Sequence, residues 1–177
     1  PNPSASEPEG ELKEADRELA GRLMRINHAG EVSAQGLYQG QSLTARLPKV
    51  RQAMERAALE ENDHLEWCKT RAREVGTHVS YLNPLWYAGS VTIGAIAGAA
   101  GDRWSLGFVA ETERQVVSHL EGHLRKLPDY DLKSRAVLEQ MKEDEARHAN
   151  MAKRAGGAEL PFPAKKLMQF TSKFMTR

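Results

Sequence analysis

The chain has 177 residues, a length that allows one domain with a sizeable hydrophobic core. Its 25 Lys and Arg residues nearly balance its 24 Asp and Glu residues, and the net charge is +1. The charges are interspersed, which excludes the basic stripe of a nucleic-acid-binding protein. The single cysteine, Cys68, excludes an internal disulfide and a cysteine-based metal site, and it fits a reducing compartment.

The N-terminal segment differs in composition from the chain that follows. Residues 1–10 are rich in Pro, Ser and Glu and are predicted to form a flexible leader. Residues 11–177 are predicted to form a single helical domain. Its first helix begins near residue 11 and ends near residue 45, and Glu31 and Tyr38 lie on the apolar stripe of this helix.

The second helix has the most regular apolar stripe of the chain. Pro48 suits the first turn of a helix, and Gly76 ends the pattern. Glu61 and His64 occupy positions on that stripe, where apolar residues would be expected. Because charged groups on a buried face are costly unless they are neutralised, these two residues require a partner. We expect the first two helices to form a hairpin over residues 11–75.

Residues 76–101 contain no Asp, Glu, Lys or Arg and are predicted to connect two hairpins. Pro84 marks the start of a third helix within this segment. Its glycines and alanines make it only weakly apolar for a membrane span. Two alternatives fit better, a buried crossover helix and a helix that lies in a membrane interface, and we favour contact with a membrane.

The second hairpin is predicted over residues 102–157. Its first helix carries Glu113 on an apolar stripe and ends before a turn at residues 128–130. The fifth helix has Glu145 and His148 on its stripe. A short amphipathic tail helix over residues 163–177 carries several basic residues.

The two hairpins carry the same set of acidic and histidine side chains. Each has a glutamate followed about 31 residues later by Glu-x-x-His: Glu31 with Glu61 and His64, and Glu113 with Glu145 and His148. The midpoints between the paired glutamates are residues 46 and 129, which fall at the predicted turns, so all four carboxylates share one level. Positions i and i+3 share one helix face, so each Glu/His pair points inward. The pattern predicts an all-α four-helix bundle with a di-metal carboxylate site, and oxygen-rich ligation favours iron or manganese.

A single Glu-x-x-His is more often a solvated helix face than a metal site, and only the doubled pattern reverses that preference. Glutamates off the stripes, among them Glu60 and Glu111, are predicted to be solvated. Asp63 and Asp144 either bond to a ligand histidine or lie at the surface. Tyr38 is either plain core or a hydrogen-bonding, redox-active neighbour. From its spacing alone, His119 is a packing residue.

Several motifs resemble the demethoxyubiquinone hydroxylase family of ubiquinone biosynthesis, in its bacterial version. They are Asn27-His28-Ala29-Gly30-Glu31, Asn83-Pro84-Leu85-Trp86 and Asp144-Glu145-x-x-His148. The resemblance implies a ferritin-like bundle in which the six residues bind two Fe ions and hydroxylate the ring of a demethoxyubiquinol, using O2 and two electrons. It makes His119 a candidate to support the metal ligands. Many members have Tyr where this chain has Leu120, so a tyrosine relay on the second hairpin is not expected here.

The implied substrate, a polyprenyl quinol, is insoluble in water. We therefore expect contact with a membrane surface through residues 84–101 and 163–177. The resemblance implies the cytoplasmic face of a bacterial inner membrane, or the matrix face of the mitochondrial inner membrane. Self-association and binding to other ubiquinone-biosynthesis proteins are compatible with it. Two alternatives stay open, an iron- or peroxide-handling protein like ferritin or rubrerythrin, and a non-catalytic bundle that binds quinones or lipids.

Overall fold

The computed structural model describes the backbone of residues 1–175 and the side chains of residues 1–173. Within this range all regular secondary structure is helical, and there is no β-strand. A short 3-10 helix, Pro3–Ser6, precedes six α-helices: α1 (Glu14–Thr44), α2 (Pro48–Glu74), α3 (Asn83–Ala99), α4 (Asp102–Leu124), α5 (Leu132–Arg154) and α6 (Phe162–Met175). The predicted all-α class is confirmed, and the predicted helix ends differ from the observed ones by a few residues.

Local sequence signals determine where the helices begin and end. Pro48 occupies the first turn of α2, where its missing N–H leaves no hydrogen bond unmade. Gly76 and Gly156 follow α2 and α5 with φ values of +83° and +101°, a conformation that suits glycine. The carboxylate of Asp131 accepts a hydrogen bond from the backbone N–H of Ser134 and caps the start of α5.

The helices pack as two antiparallel hairpins. Helix α1 packs along α2, α4 packs along α5, and α2 also contacts α5. The carboxylate of Asp102, at the start of α4, accepts hydrogen bonds from the backbone N–H groups of Arg46 and Leu47 in the α1–α2 turn. The start of the second hairpin is therefore fixed at the closed end of the first.

Two apolar clusters form the core within the described residues. One contains Met24, Trp67 and Met141, together with other residues near the start of α1 and the end of α2. The other contains Tyr38 and Met54 and lies toward the α1–α2 turn. The middle turns of the four helices, which carry the predicted site residues, lie between these two clusters.

Helix α3 packs on the outside of α1 rather than inside the hairpins. A Cβ atom added to Gly40 or Gly94 would overlap backbone atoms of the opposite helix, so glycine permits this close approach. The other face of α3 is open to solvent: Leu85 is 63% exposed and Ile96 is 67% exposed. The alternative of a buried crossover is therefore wrong, because only one face of α3 is covered. Within the described residues, no helix combines the length and hydrophobicity needed to span a bilayer.

The N-terminal residues are not the loose leader that their composition predicts. Ser4, in the short 3-10 helix, is buried, and this helix packs against α5. Glu9 forms an ion pair at 2.9 Å with Arg71, a buried side chain near the end of α2. The same guanidinium binds Asp131 at 2.9 Å. A buried cation is costly without anionic partners, so its ion pair with Glu9 is favourable. This pair helps to hold residues 1–10, which have few apolar side chains, against the bundle.

Helix α6 lies near α1 and α4. Its exposed side chains include Phe162, Leu167 and Phe170. The tail helix predicted over residues 163–177 is confirmed as a helix that ends at Met175. Arg177 and the side chain of Phe174, which belong to the same prediction, lie outside the described residues.

Candidate metal centre

Six predicted site residues come together from four different helices. They are Glu31 from α1, Glu61 and His64 from α2, Glu113 from α4, and Glu145 and His148 from α5. All six are buried, and none is more than 5% exposed. The helical period places each of them on the inner face of its helix, so the packing of the two hairpins converges them.

The six residues form two overlapping groups, each able to hold a metal ion. Glu31, Glu61, His64 and Glu145 offer ligand atoms that lie within 4.8 Å of one another, and Glu61, Glu113, Glu145 and His148 do the same. The carboxylates of Glu61 and Glu145 belong to both groups. Glu31 and Glu113 each belong to one. The arrangement is that of two neighbouring sites with two shared carboxylates.

Both histidines direct the same ring nitrogen toward the carboxylates. Nδ1 of His64 lies 3.0 Å from Oε1 of Glu145 and 3.1 Å from Oε2 of Glu61. Nδ1 of His148 lies 3.2 Å from Oε2 of Glu145. In each ring, Nδ1 is therefore the nitrogen placed to bind a metal ion.

The other nitrogen of each histidine contacts an acid on the opposite hairpin. Nε2 of His64 lies 3.2 Å from Oδ2 of Asp144, and Nε2 of His148 lies 2.7 Å from Oε2 of Glu60. An acceptor at this nitrogen fixes the ring and leaves Nδ1 as the metal-binding atom. Of the two alternatives for Asp144, the structure shows the hydrogen bond to a histidine. Glu60 is exposed, as predicted, with 43% of its side chain accessible, but its contact with His148 was not predicted. The missed signal is that an acid directly precedes both Glu-x-x-His sequences.

Burial and mutual repulsion of the carboxylates shift several pKa values in the cluster. Burial and the negative charge of Glu145 raise the pKa of Glu61 and Glu113 well above the ordinary value for glutamate. Burial alone would lower the pKa of His64, but hydrogen bonds to Glu145, Glu31 and Glu61 raise it. Burial would likewise raise the pKa of Glu145, and hydrogen bonds from His148 and His64 lower it. Protons therefore offset part of the negative charge when no cation is present.

The cluster also leaves polar atoms unpaired. Oε1 of Glu61 and Oε1 of Glu113 are buried and have no hydrogen-bond partner among the described residues. Buried carboxylate oxygens without a donor are costly unless a cation binds them. Four carboxylates carry a formal charge of −4, which two divalent ions would neutralise. The residues therefore fit a pair of divalent metal ions with oxygen-rich ligation.

Glu111, two residues before Glu113 on α4, points away from the cluster but is only 5% exposed, so the prediction that it is solvated is wrong. Its carboxylate lies 2.6 Å from Nη2 of Arg114, and it also accepts a hydrogen bond from Gln115. The side chain of Glu113 is in the cluster and is 1% exposed. The stripe position of Glu113 had indicated this choice.

The two predicted supporting residues form no hydrogen bond to the carboxylates of the cluster. Tyr38 is buried in the apolar core toward the α1–α2 turn, and its hydroxyl has no hydrogen-bond partner among the residues described. The ring of His119 packs against that of His123 with centroids 4.0 Å apart. Their predicted roles stay predictions. His28, which precedes Glu31 by three residues, is buried, and its Nδ1 lies 3.2 Å from the amide nitrogen of Asn83.

A cavity of about 360 Å³ reaches the cluster from one side. Residues of α1, α3, α4 and α6 line it, and most of its wall is apolar. Glu31 belongs both to this wall and to the first group of metal-binding residues. A molecule in the cavity would therefore lie directly against the candidate metal centre.

The helical fold and the buried Glu/His cluster define a class, that of helical proteins whose inner carboxylates and histidines could hold metal ions. Within that class, the chain belongs to the family described as ubiquinone biosynthesis protein COQ7, which matches residues 18–177.

Relatives named 3-demethoxyubiquinol 3-hydroxylase are similar to the chain over nearly its whole length. The Nitrosococcus oceani protein is 62% identical over 176 residues, which are 99% of this chain and 82% of that relative. The Nitrosomonas europaea protein is 56% identical over 177 residues, which are 100% of this chain and 85% of the relative. The Stutzerimonas stutzeri protein is 58% identical over 177 residues, with coverage of 100% and 82%.

Proposed function

We propose that the protein is an O2-dependent di-iron monooxygenase that hydroxylates the ring of a demethoxyubiquinol in ubiquinone biosynthesis. The observation that carries the proposal is an apolar cavity that ends at Glu31, a member of the buried Glu/His cluster. Its relatives named 3-demethoxyubiquinol 3-hydroxylase support the same reaction. In this interpretation α1, α2, α4 and α5 form a ferritin-like four-helix bundle.

Two Fe ions would be held by the two groups of the cluster. Glu61 and Glu145 would contact both ions, Glu31 and His64 would complete one site, and Glu113 and His148 would complete the other. Bound iron would supply the redox chemistry by which O2 is reduced and one of its oxygen atoms is transferred to the ring.

The surrounding residues hold the ligands in place and keep water away. Asp144 and Glu60 accept hydrogen bonds from Nε2 of His64 and His148, which fixes both rings with Nδ1 inward. The apolar clusters on either side of the carboxylates exclude water from the centre. The apolar cavity wall suits the ring and the first part of a polyprenyl tail.

We propose that the protein takes this substrate from a membrane surface, to which it binds through α3 and α6. Exposed apolar side chains on both helices support the proposal, and these helices also line the cavity. Helix α6 carries Lys165 and Lys166 beside its apolar residues, as interfacial helices do. In a bacterium the surface would be the cytoplasmic face of the inner membrane.

Quinone profiling of a deletion strain tests the reaction. Without the gene, we expect ubiquinone to be lost and a demethoxy precursor to accumulate, and the wild-type gene should restore the normal profile. A gene with Glu145→Ala should not restore the normal profile, because Glu145 belongs to both metal-binding groups. Normal ubiquinone in the deletion strain would refute the hydroxylase.

Metal analysis of the purified protein tests the centre separately. We expect two iron ions per chain and their loss in Glu145→Ala. Less than one iron per chain, unchanged by the substitution, would favour a non-catalytic quinone-binding bundle. Two irons with a normal quinone profile would favour an iron- or peroxide-handling protein.

A further inference from the structure

Several hydrogen-bond donors in the wall of the cavity are already used. Three of its hydroxyl groups, those of Ser33, Thr112 and Thr171, donate to the carbonyl group four residues earlier in their own helices. The amide nitrogen of Gln115 donates to the carboxylate of Glu111 at 2.7 Å. These groups are already bonded, so they have little to offer a molecule that enters the cavity.

The amide of Asn27 is different. Asn27 lies in the cavity wall and is only 3% exposed. Its Oδ1 lies 3.0 Å from Nδ1 of His123 on α4, but its Nδ2 has no hydrogen-bond partner in the part of the chain that the structure describes. A buried N–H group without an acceptor is costly, so a bound molecule with an oxygen atom at this point would be favoured.

The bond to His123 determines which end of the amide stays available. Burial, followed by unfavourable electrostatic interactions with His119 and Lys126, lowers the pKa of His123 to about 3, so its ring is neutral at physiological pH. A neutral ring that bonds to an amide oxygen through Nδ1 must carry its proton there. His123 therefore donates to Oδ1 of Asn27, and this bond holds Nδ2 as the free donor.

Asn27 also has the right position relative to the metal cluster. It precedes Glu31 by four residues on α1, so the two side chains share one helix face and stand about 6 Å apart along the axis. A group bonded to Nδ2 would lie one helical turn from Glu31. That spacing matches a small ring whose reacting carbon faces the metals while an oxygen substituent is held farther out.

We propose that Nδ2 of Asn27 donates a hydrogen bond to a ring oxygen of the quinol, and that His123 is a positioning residue that orients the Asn27 amide. The inference rests on the proposed function, because it assumes that the cavity holds a quinol. A quinol hydroxyl oxygen and a quinone carbonyl oxygen both accept such a bond, so both redox forms are held. The apolar wall then binds the tail, and Asn27 sets the orientation of the ring.

Binding measurements with the metal-loaded full-length protein test this. The probes are a benzoquinone with a short alkyl tail and the corresponding alkylbenzene, which lacks ring oxygens. Without a reductant the quinone is not turned over, so calorimetry gives its dissociation constant directly. We expect Asn27→Leu to weaken quinone binding by about tenfold and to leave alkylbenzene binding unchanged.

Variants of His123 test the positioning role. His123→Leu should weaken quinone binding in the same selective way, because the amide of Asn27 can then rotate. His123→Gln should keep quinone binding close to that of the wild type, since the glutamine amide N–H can donate to Oδ1 of Asn27. Thr112→Val is the matched control in the same wall. Its hydroxyl is bonded within α4, so the ratio of the two affinities should not change.

The outcomes separate the inference from the proposed function. Equal weakening of both probes by Asn27→Leu, or no change for the quinone, would overturn the role of Asn27 while leaving the cavity as a quinone site. A wild-type protein that does not bind the quinone would overturn the proposed function as well. If Asn27→Leu does not fold, Asn27→Asp replaces it, because it keeps the acceptor for His123 and removes the N–H donor.

Discussion

The sharing of Glu61 between both ligand groups predicts two distinct outcomes for the loss of a single carboxylate. Glu31 belongs to one group, whereas Glu61 belongs to both. We therefore expect Glu31→Gln to lose one of two bound ions and Glu61→Gln to lose both. The substitution is nearly isosteric in each case, so the difference in metal content reports the position of the ligand rather than a packing defect.

The stability of the loaded protein gives the expected magnitude. An ion that binds only the folded state stabilises it by about 4 kcal/mol when free metal exceeds the dissociation constant by roughly 1,000-fold. In a chain of 177 residues, each kcal/mol raises the unfolding midpoint by roughly 2–4 °C, so one ion should raise it by about 8–16 °C. The wild type should gain about twice as much as Glu31→Gln, and Glu61→Gln should gain almost nothing.

Elemental analysis after dialysis measures the metal content, and circular dichroism melts with and without ferrous ion, under anaerobic conditions, measure the gain in stability. Glu111→Gln is the control, because Glu111 is buried on the same helix as Glu113 but is paired with Arg114 outside the cluster. It should retain both ions. Equal metal loss in Glu31→Gln and Glu61→Gln would refute the shared position of Glu61.

Three further predictions concern the surroundings of the cluster. In the metal-free protein, burial and neighbouring carboxylates raise the pKa of Glu61 and Glu113, so the folded state retains protons that the unfolded state releases above pH 4.5. The urea midpoint should therefore fall as pH rises above that value, and a saturating divalent metal should abolish the fall; a midpoint that rises instead would contradict this. Glu60→Gln should weaken metal binding by about 10- to 100-fold in a chelator competition, because it weakens the hydrogen bond that holds Nε2 of His148. Unchanged affinity would exclude this supporting role of Glu60. Gly40→Ala should lower the free energy of unfolding by about 1–3 kcal/mol in denaturant titrations, since the new methyl group overlaps the backbone of α3. Gly89→Ala, whose added methyl meets nothing within 4 Å, is the control and should be neutral or stabilising.

The parts of the structure that depend on local signals could be predicted from the sequence. Glu61 and His64 break an otherwise apolar stripe, and a helical stripe identifies the buried face without knowledge of the partner helix. Pro48 and the glycines that follow α2 and α5 mark the helix ends in the same local way. Because the turns lie midway between paired glutamates, the common level of the four carboxylates also follows from counting residues.

The parts that depend on contacts between distant residues could not be predicted. The position of Glu60 directly before Glu61 marks it as a candidate, but only the packing of α2 against α5 shows that it reaches His148. The N-terminal segment has the composition of a loose leader, but the buried Arg71, which is 62 residues from Glu9 in the chain, binds it through an ion pair. No window of neighbouring residues contains either interaction.

Helix α1 explains why the candidate centre and the cavity occur together. Its inner face supplies Glu31, and four residues earlier the same face supplies Asn27. Gly36 and Gly40, five and nine residues after Glu31, let α3 approach so closely that α3 becomes part of the cavity wall. A substitution that pushed α3 away would therefore open the cavity to solvent without touching a metal ligand. In the proposed function, the spacing of residues on α1 would therefore affect metal binding, orientation of the ring and exclusion of water together.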